Sequence, residues 1–147
     1  MAVEIAPFAP ADIAAALALW SRTEGMALTG DRPEVLAAYL ERNPGLSFVA
    51  RDGGELVGAV LCGHDGRRGF LHHLAVTPAY RRRGLGATLA ARCLAALEAV
   101  GVAKCHLFVQ RGNDAAVAFW RRVGWSERDD LVMMSRTLDA PAPGPAR

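Results

Sequence analysis

Two features of this chain have the residue types and spacing to do chemistry. The first is Arg81 to Ala87, RRRGLGA, where three arginines run into Gly84 and Gly86. The second is the adjacent pair His72 and His73 a few residues upstream. An R-x-x-G-x-G-A pattern at the start of a helix suits an anion. The first N–H groups of a helix have no intrahelical partner, and the helix dipole is positive there. A phosphate fits such an end. Glycines let it approach the backbone, and arginines add forked donors and fixed charge. Three cations at the positive end of a helix are unfavourable unless an anion neutralises them, which argues against a merely basic, solvated helix start. The loop lacks the third glycine of a dinucleotide fingerprint, because Leu89 stands there, and it lacks the G-x-x-x-x-G-K-[ST] of a P-loop. Histidine is the side chain that exchanges a proton near neutral pH, so His72 and His73 are candidate bases.

The elements that must hold these residues follow from periodicity. VEI at Val3 to Ile5 is a candidate first strand. PADIAAALALWSR opens a helix at Pro10, with Ile13, Ala16, Leu17 and Trp20 at helical spacing. Pro33 starts a second helix that ends near Arg42, before the NPG breaker. Leu46 to Arg51 and Glu55 to Gly63 are strands joined by the hairpin signal DGG, and a second turn leads into a strand over Phe70 to Val76. From Gly84 to Val100 the period becomes helical, with Gly101 as the cap. Ala103 to Gln110 reads as a strand, and Asn113 caps a helix that ends at Gly124. Asp130 to Leu138 reads as a last strand, with a further short strand possible at Trp125. The unit from Phe70 to Gln110 is strand–helix–strand, so its two strands should run parallel. The expected fold is α/β (α+β) with a mixed central sheet, antiparallel first and parallel later, and about four helices.

The chain as a whole bounds the partners. Its 147 residues suit a single domain, expected over residues 1–139, with the Pro/Ala/Gly-rich residues 140–147 as a disordered tail. Lys plus Arg is 17 against 15 Asp plus Glu, a net charge of +2, too balanced for a generic nucleic-acid binder. Cys62, Cys93 and Cys105 lie far apart in apolar runs, which reads as buried thiols rather than a disulfide framework or a metal site. The strongly apolar run Ile13 to Trp20 is less than half of the ~20 residues that span a bilayer, and MAVEIAPF is no signal peptide. A cytoplasmic protein without membrane or nucleic-acid partners is expected.

HHLAVTPAYRRRGLGATL resembles the acetyl-CoA motif of the GNAT superfamily of N-acetyltransferases, [Q/R]-x-x-G-x-[G/A]. NDAAVAFWRRVGW resembles the family's following helix, and GHDGRRGFLHHLAV resembles a small bacterial branch of it. The likeness runs from about Val3 to Leu138. It implies a sheet splayed between Phe70–Val76 and Ala103–Gln110 around an acyl-CoA site. It also implies direct transfer of an acetyl group from acetyl-CoA to a primary amine through a tetrahedral intermediate. The backbone of Arg82, Arg83, Gly84, Leu85, Gly86 and Ala87 would hold the coenzyme A pyrophosphate, assisted by Arg81. Leu74, Ala75 and Val76 would pair with the pantetheine arm, and the N–H near Leu74 would stabilise the oxyanion. Asn113 would touch the cofactor or cap its helix. Trp120 stands where the family usually has a tyrosine that protonates the leaving thiolate. Indole is no useful acid, which favours as an alternative a module that binds acyl-CoA with little catalysis.

Strict strand alternation puts Phe70, His72, Leu74 and Val76 on one face and Leu71, His73 and Ala75 on the other. Only one histidine then faces the substrate. His72 is the candidate base, and His73 is assigned to structure. The segment Trp20 to Pro33 is the expected acceptor wall, with Trp20, Arg22, Glu24 and Asp31 as contacts; His64 is a further contact and Ser126 to Asp130 a second wall. No metal is expected, and the resemblance admits a homodimer.

Overall fold

The computed structural model describes residues 3–138. A break after Asp114 divides the chain into two compact units.

The first unit holds the sheet. Its strands are β1 (Val3–Pro7), β2 (Phe48–Asp52), β3 (Glu55–His64), β4 (Gly69–Val76) and β5 (Cys105–His106), in that spatial order. The first four pair antiparallel; β4 and β5 run parallel, as the strand–helix–strand reading requires. Helices α1 (Ile13–Ser21) and α2 (Pro33–Arg42) lie between β1 and β2, and α3 (Leu85–Ala99) connects β4 to β5. Helix α2 has the expected bounds because Pro33 presets the first turn and Asn43 ends it, its side-chain Nδ2 donating to the Tyr39 carbonyl at 3.2 Å. Helix α1 starts later than its periodicity suggests. Pro10–Asp12 form a separate tight turn, where the Asp12 carboxylate accepts the Ala9 N–H at 2.9 Å and pairs with Arg51 of β2.

Two apolar layers sandwich the sheet. On one side, Phe8, Ile13, Ala16, Leu19, Trp20, Leu36 and Leu40 pack on Val49, Ala59, Leu61 and Ala75. On the other, Leu89, Ala90, Cys93 and Leu97 of α3 are buried, and glycines on the sheet admit them. A Cβ on Gly69 would stand 2.5 Å from Leu97 Cδ1, and one on Gly58 3.1 Å from Leu89 Cδ1. Cys62 and Cys93 are fully buried and Cys105 half-buried, all as free thiols.

Trp20 corrects an expectation: its side chain is inaccessible to solvent, so it belongs to the core and is no acceptor contact. Its ring lies 6.1 Å from that of Phe8 and 5.1 Å from that of His73.

The second unit begins within α4 (Asp114–Arg122). Ala116, Val117, Phe119, Trp120, Val123 and Trp125 are its half-buried positions. The expected strand at Asp130–Leu138 does not form among the described residues, nor does one at Trp125. Leu131, Val132, Met133 and Met134 are exposed instead. Strand preference needs a neighbouring strand to express it, and no ladder is offered to this apolar quartet. Likewise β5 is two residues long, where periodicity suggested Ala103–Gln110. The expected tail at residues 140–147 lies outside the described residues.

Truncating the buried indole should leave a large cavity. Trp20→Ala is expected to lower the unfolding free energy in urea by about 3–5 kcal/mol. A loss below about 1 kcal/mol would remove Trp20 from the core.

Candidate active site

The site is organised by an irregularity in β4. Between the pairs Ala59↔Ala75 and Leu61↔His72, β3 advances two residues while β4 advances three. One extra residue is therefore inserted into β4 at His73–Leu74, a β-bulge, and His73 carries it with φ 58°. A non-glycine residue in the left-handed region is uncommon, and His is one of the types that tolerate it.

The bulge overturns the strict alternation. His72 faces Tyr39 of α2, with ring centroids 6.4 Å apart, and His73 faces Trp20 of α1. Both histidines therefore lie on the helix α1–α2 side, 6.4 Å apart, together with Phe70 and Ala75. The expectation that only one could face that side fails because the bulge resets the two-residue period. The two still differ in partners. His73 Nε2 is 2.8 Å from Asp31 Oδ2, and both side chains are about four-fifths buried. This agrees with a structural His73 and takes Asp31 out of the free acceptor contacts. Neither ring nitrogen of His72 is hydrogen-bonded to a described residue. Burial, then the neighbouring His73 ring, holds its pKa below the ordinary 6.5, against a smaller opposing effect of Asp31. His72 is thus neutral, with an available lone pair, at neutral pH.

His72 also belongs to a ring ladder. It stacks on Phe70 at 6.4 Å and on Phe108 at 6.4 Å, while Phe70 meets His106 at 5.7 Å. Next to it is a cleft of about 260 Å³. Tyr39, Arg42 and Asn43 bound it from the end of α2, His64 and Asp65 from the end of β3, and Phe70 and His72 from β4. His64 was expected at such a place. Arg22 and Glu24 do not line the cleft; Arg22 Nη1 instead donates to the Ala18 carbonyl at 3.1 Å. The loop that carries them is pinned on the core by Met26 and Leu28 and by the Asp31–His73 pair. Tyr39, Arg42 and Phe70 were missed as site residues. Phe70 shares the His72 face by simple alternation, and Tyr39 and Arg42 sit three apart on one helix, a signal that becomes readable only once α2 is docked on β4.

β4 also has an open edge. β5 pairs with Gly69 and Phe70 only, so from Leu71 to Val76 the main chain has no strand on that side among the described residues. This is the expected splay, and it contains Leu74, Ala75 and Val76. Past Val76, Pro78–Tyr80 make a single tight turn, and Arg81 Nε donates back to the Val76 carbonyl at 2.9 Å. Arg82 at φ 65° and Gly84 at φ 75° turn the chain into α3. A Cβ at Gly84 would meet nothing within 4 Å, so that side is open. Thr88 donates its N–H to the Gly84 carbonyl at 3.0 Å, and the N–H groups before it belong to the first turn, which pairs with nothing inside the helix. Successive N–H groups in such a turn of alternating hand form an anion-binding concavity. The residues present fit a pyrophosphate. Arg83 stacks on Tyr80, 5.0 Å from its ring centroid, and the Tyr80 hydroxyl donates to Asp52, so Tyr80 ties the turn to β2.

Asn113 lies against the loop after α1: a Cβ on Gly25 would be 2.7 Å from its Nδ2. In the second unit Trp120 packs against Phe119 at 4.9 Å and Trp125 at 5.3 Å. At the second expected wall, Arg128 makes two bonds of 3.0 Å to the Asp130 carboxylate. Among the described residues no cluster of His, Cys, Asp and Glu could hold a metal, and no helix is long and apolar enough to cross a membrane.

A bulged central strand, an open strand edge and a glycine–arginine turn into a helix define an acyl-CoA-type transferase architecture, and comparison with known proteins agrees. The pattern of the acetyltransferase (GNAT) family matches residues 13–125. An acetyltransferase of Pectobacterium atrosepticum is 32% identical over 137 residues, covering 93% of this chain and 97% of that one. One from Sodalis glossinidius is 31% identical over 136 residues, covering 92% and 96%. The PaiA N-acetyltransferase of Thermoplasma acidophilum, solved in complex with coenzyme A, shares the fold at TM-score 0.77 and 19% identity, over 88% of this chain and 92% of that one. The ribosomal-protein-S18-alanine N-acetyltransferase of Escherichia coli superposes with TM-score 0.73 at 26% identity, over 86% and 79%. This chain belongs to the GNAT acetyltransferase family, and it is an acyltransferase enzyme.

The Asp31–His73 bond should be measurable as a coupling. In a double-mutant cycle with Asp31→Asn and His73→Asn, an asparagine that tolerates the positive φ, urea unfolding is expected to give an interaction energy of about 1 kcal/mol or more. A value near zero would mean that the loop is not tied to the bulge.

Proposed function

We propose that this enzyme moves an acetyl group from acetyl-CoA to a primary amine by direct attack. The observation that carries the reading is the bulged β4, where the main-chain edge left open by the short β5 runs past an unbonded, neutral His72. Residues Arg82 to Ala87, with Arg81, are assigned to the pyrophosphate, and Leu74, Ala75 and Val76 to the pantetheine arm. The bulge takes Leu74 out of the cross-strand register, which supports its N–H as the donor to the thioester oxygen. Such a donor acts where negative charge develops.

An alkylammonium has a pKa of about 10, so the attacking amine must lose a proton. His72 accepts it. The amine nitrogen bonds to the acetyl carbon, the carbon–sulfur bond breaks, the thiolate departs with the sulfur electrons, and the second proton of the former ammonium passes to that thiolate or to water. A thiol pKa near 8.5 makes this leaving group competent without an acid at Trp120. That argument favours catalysis over the alternative of an acyl-CoA-binding module. A covalent acetyl-cysteine route is disfavoured. Cys93 is raised far above the usual thiol range by its bond to Cys62 and by burial, and Cys105 is pushed up to about 12 by burial.

The test is thiol release from acetyl-CoA over an amine panel, followed across pH with an accepted amine. Because His72 is depressed in the fold, its neutral form persists below the ordinary value. The acid limb of kcat/KM should therefore have an apparent pKa below 6.5 and should disappear in His72→Gln, with activity reduced roughly 10²–10⁴-fold. An unchanged acid limb in that variant would contradict the assignment. Thiol release by no amine at all would contradict acetyl transfer.

A further inference from the structure

The cleft beside His72 has a one-sided polar lining. Asn43 is committed to structure, since its Oδ1 accepts the His64 N–H at 3.1 Å and its Nδ2 holds the end of α2. The Asp65 carboxylate uses Oδ1 to accept the N–H groups of Arg67 and Arg68, both at 2.8 Å. His64 accepts the Gly66 N–H on Nδ1 at 3.0 Å, so in the neutral ring its proton is on Nε2. The Tyr39 hydroxyl and the Arg42 guanidinium bond to no described residue. Burial raises the Tyr39 pKa, so that hydroxyl stays protonated. Three donors, Tyr39 O–H, His64 Nε2–H and Arg42, thus line a small cleft whose inner side carries a proton acceptor, His72.

We infer that the acceptor is a small amine that also carries a carboxylate, of the free amino-acid kind. Its carboxylate is held by Arg42 with Tyr39 and His64, while its amine meets His72. This rests on the acetyl-transfer reading above and names the substrate class of that same site. Arginine presents a forked pair of donors that matches a carboxylate, and such bonds are roughly twice as strong as neutral ones. A polycation finds the opposite surroundings. The lining offers one carboxylate, Asp65, whose Oδ1 accepts two N–H groups, and a guanidinium that repels a polycation. The volume of about 260 Å³ lies below the roughly 300–1,000 Å³ of pockets for larger ligands.

The experiment compares proteinogenic free amino acids with their α-amides and with spermidine, reading thiol release at saturating acetyl-CoA. For the accepted amino acid, kcat/KM should exceed that of its amide by roughly ten- to a hundredfold, with spermidine below both. Arg42→Gln should bring the acid-to-amide ratio close to one, mainly through KM, and Tyr39→Phe should lower it in the same direction. Equal or better use of amides, or preference for spermidine, overturns the inference while leaving acetyl transfer intact. If no amine releases thiol, acetyl transfer itself fails, and the inference is decided by calorimetric titration of the same amino acids and amides into coenzyme A-saturated protein. Tighter binding of the acid, lost in Arg42→Gln, supports it. Equal binding or none overturns it.

Discussion

One inserted residue in β4 governs the arrangement of the site. In a regular strand His72 and His73 would point to opposite faces, and the ladder with β3 would run unbroken through Leu74. The insertion at His73–Leu74 interrupts that ladder and turns both rings to the helix α1–α2 side. The strained φ of His73 is held from three directions: the ladder on either side, the ring contact to buried Trp20, and the bond to Asp31. Backbone strain of about 1–3 kcal/mol persists only when the surroundings over-determine it, and here they do. The large core indole and the loop carboxylate therefore hold the bulge in place.

The two histidines divide the labour that this geometry makes available. His73 fastens the loop after α1, and the half-buried Met26 and Leu28, packed against the core, fasten it further. His72 is left unbonded and depressed in pKa, beside a cleft that also holds the Tyr39 hydroxyl, the Arg42 guanidinium and His64. Farther along the strand, the open edge from Leu71 to Val76 leads to the glycine–arginine turn. Arg81 bonds back to Val76 and Arg83 stacks on Tyr80, so two of the three arginines brace the turn into α3. The run of positive charge is first of all a scaffold for a backbone concavity.

Much of this was legible in the sequence because it depends on local signals. Pro33 and the NPG breaker delimit α2, the DGG turn sets the β2–β3 hairpin, and R-x-x-G-x-G-A marks the turn into α3. The family resemblance on those residues named the fold and the class of chemistry, and the match over residues 13–125 agrees with it. What failed depends on tertiary context. No periodicity announces a bulge, so the faces of His73, Ala75 and Val76 were inverted. Trp20 ends an amphipathic stripe and looked available at a loop mouth; only the docking of Phe8 and β4 shows it buried. The apolar quartet Leu131–Met134 has strand-forming residues but no partner strand among the described residues. The cleft residues Tyr39 and Arg42 come together with His72 only when α2 lies across β4.

A crystal structure of the protein with coenzyme A and an acetyl-CoA thioether analogue would show whether the β4 bulge joins cofactor and base in one site. The pantetheine should run along the open edge from Leu74 to Val76, with the pyrophosphate on the N–H groups of residues 82–87 and the analogue's carbonyl oxygen within about 3 Å of the Leu74 N–H. The His72 ring should face the acetyl group from the cleft side. Pantetheine bound away from β4, or a carbonyl turned from the bulge, would contradict the account.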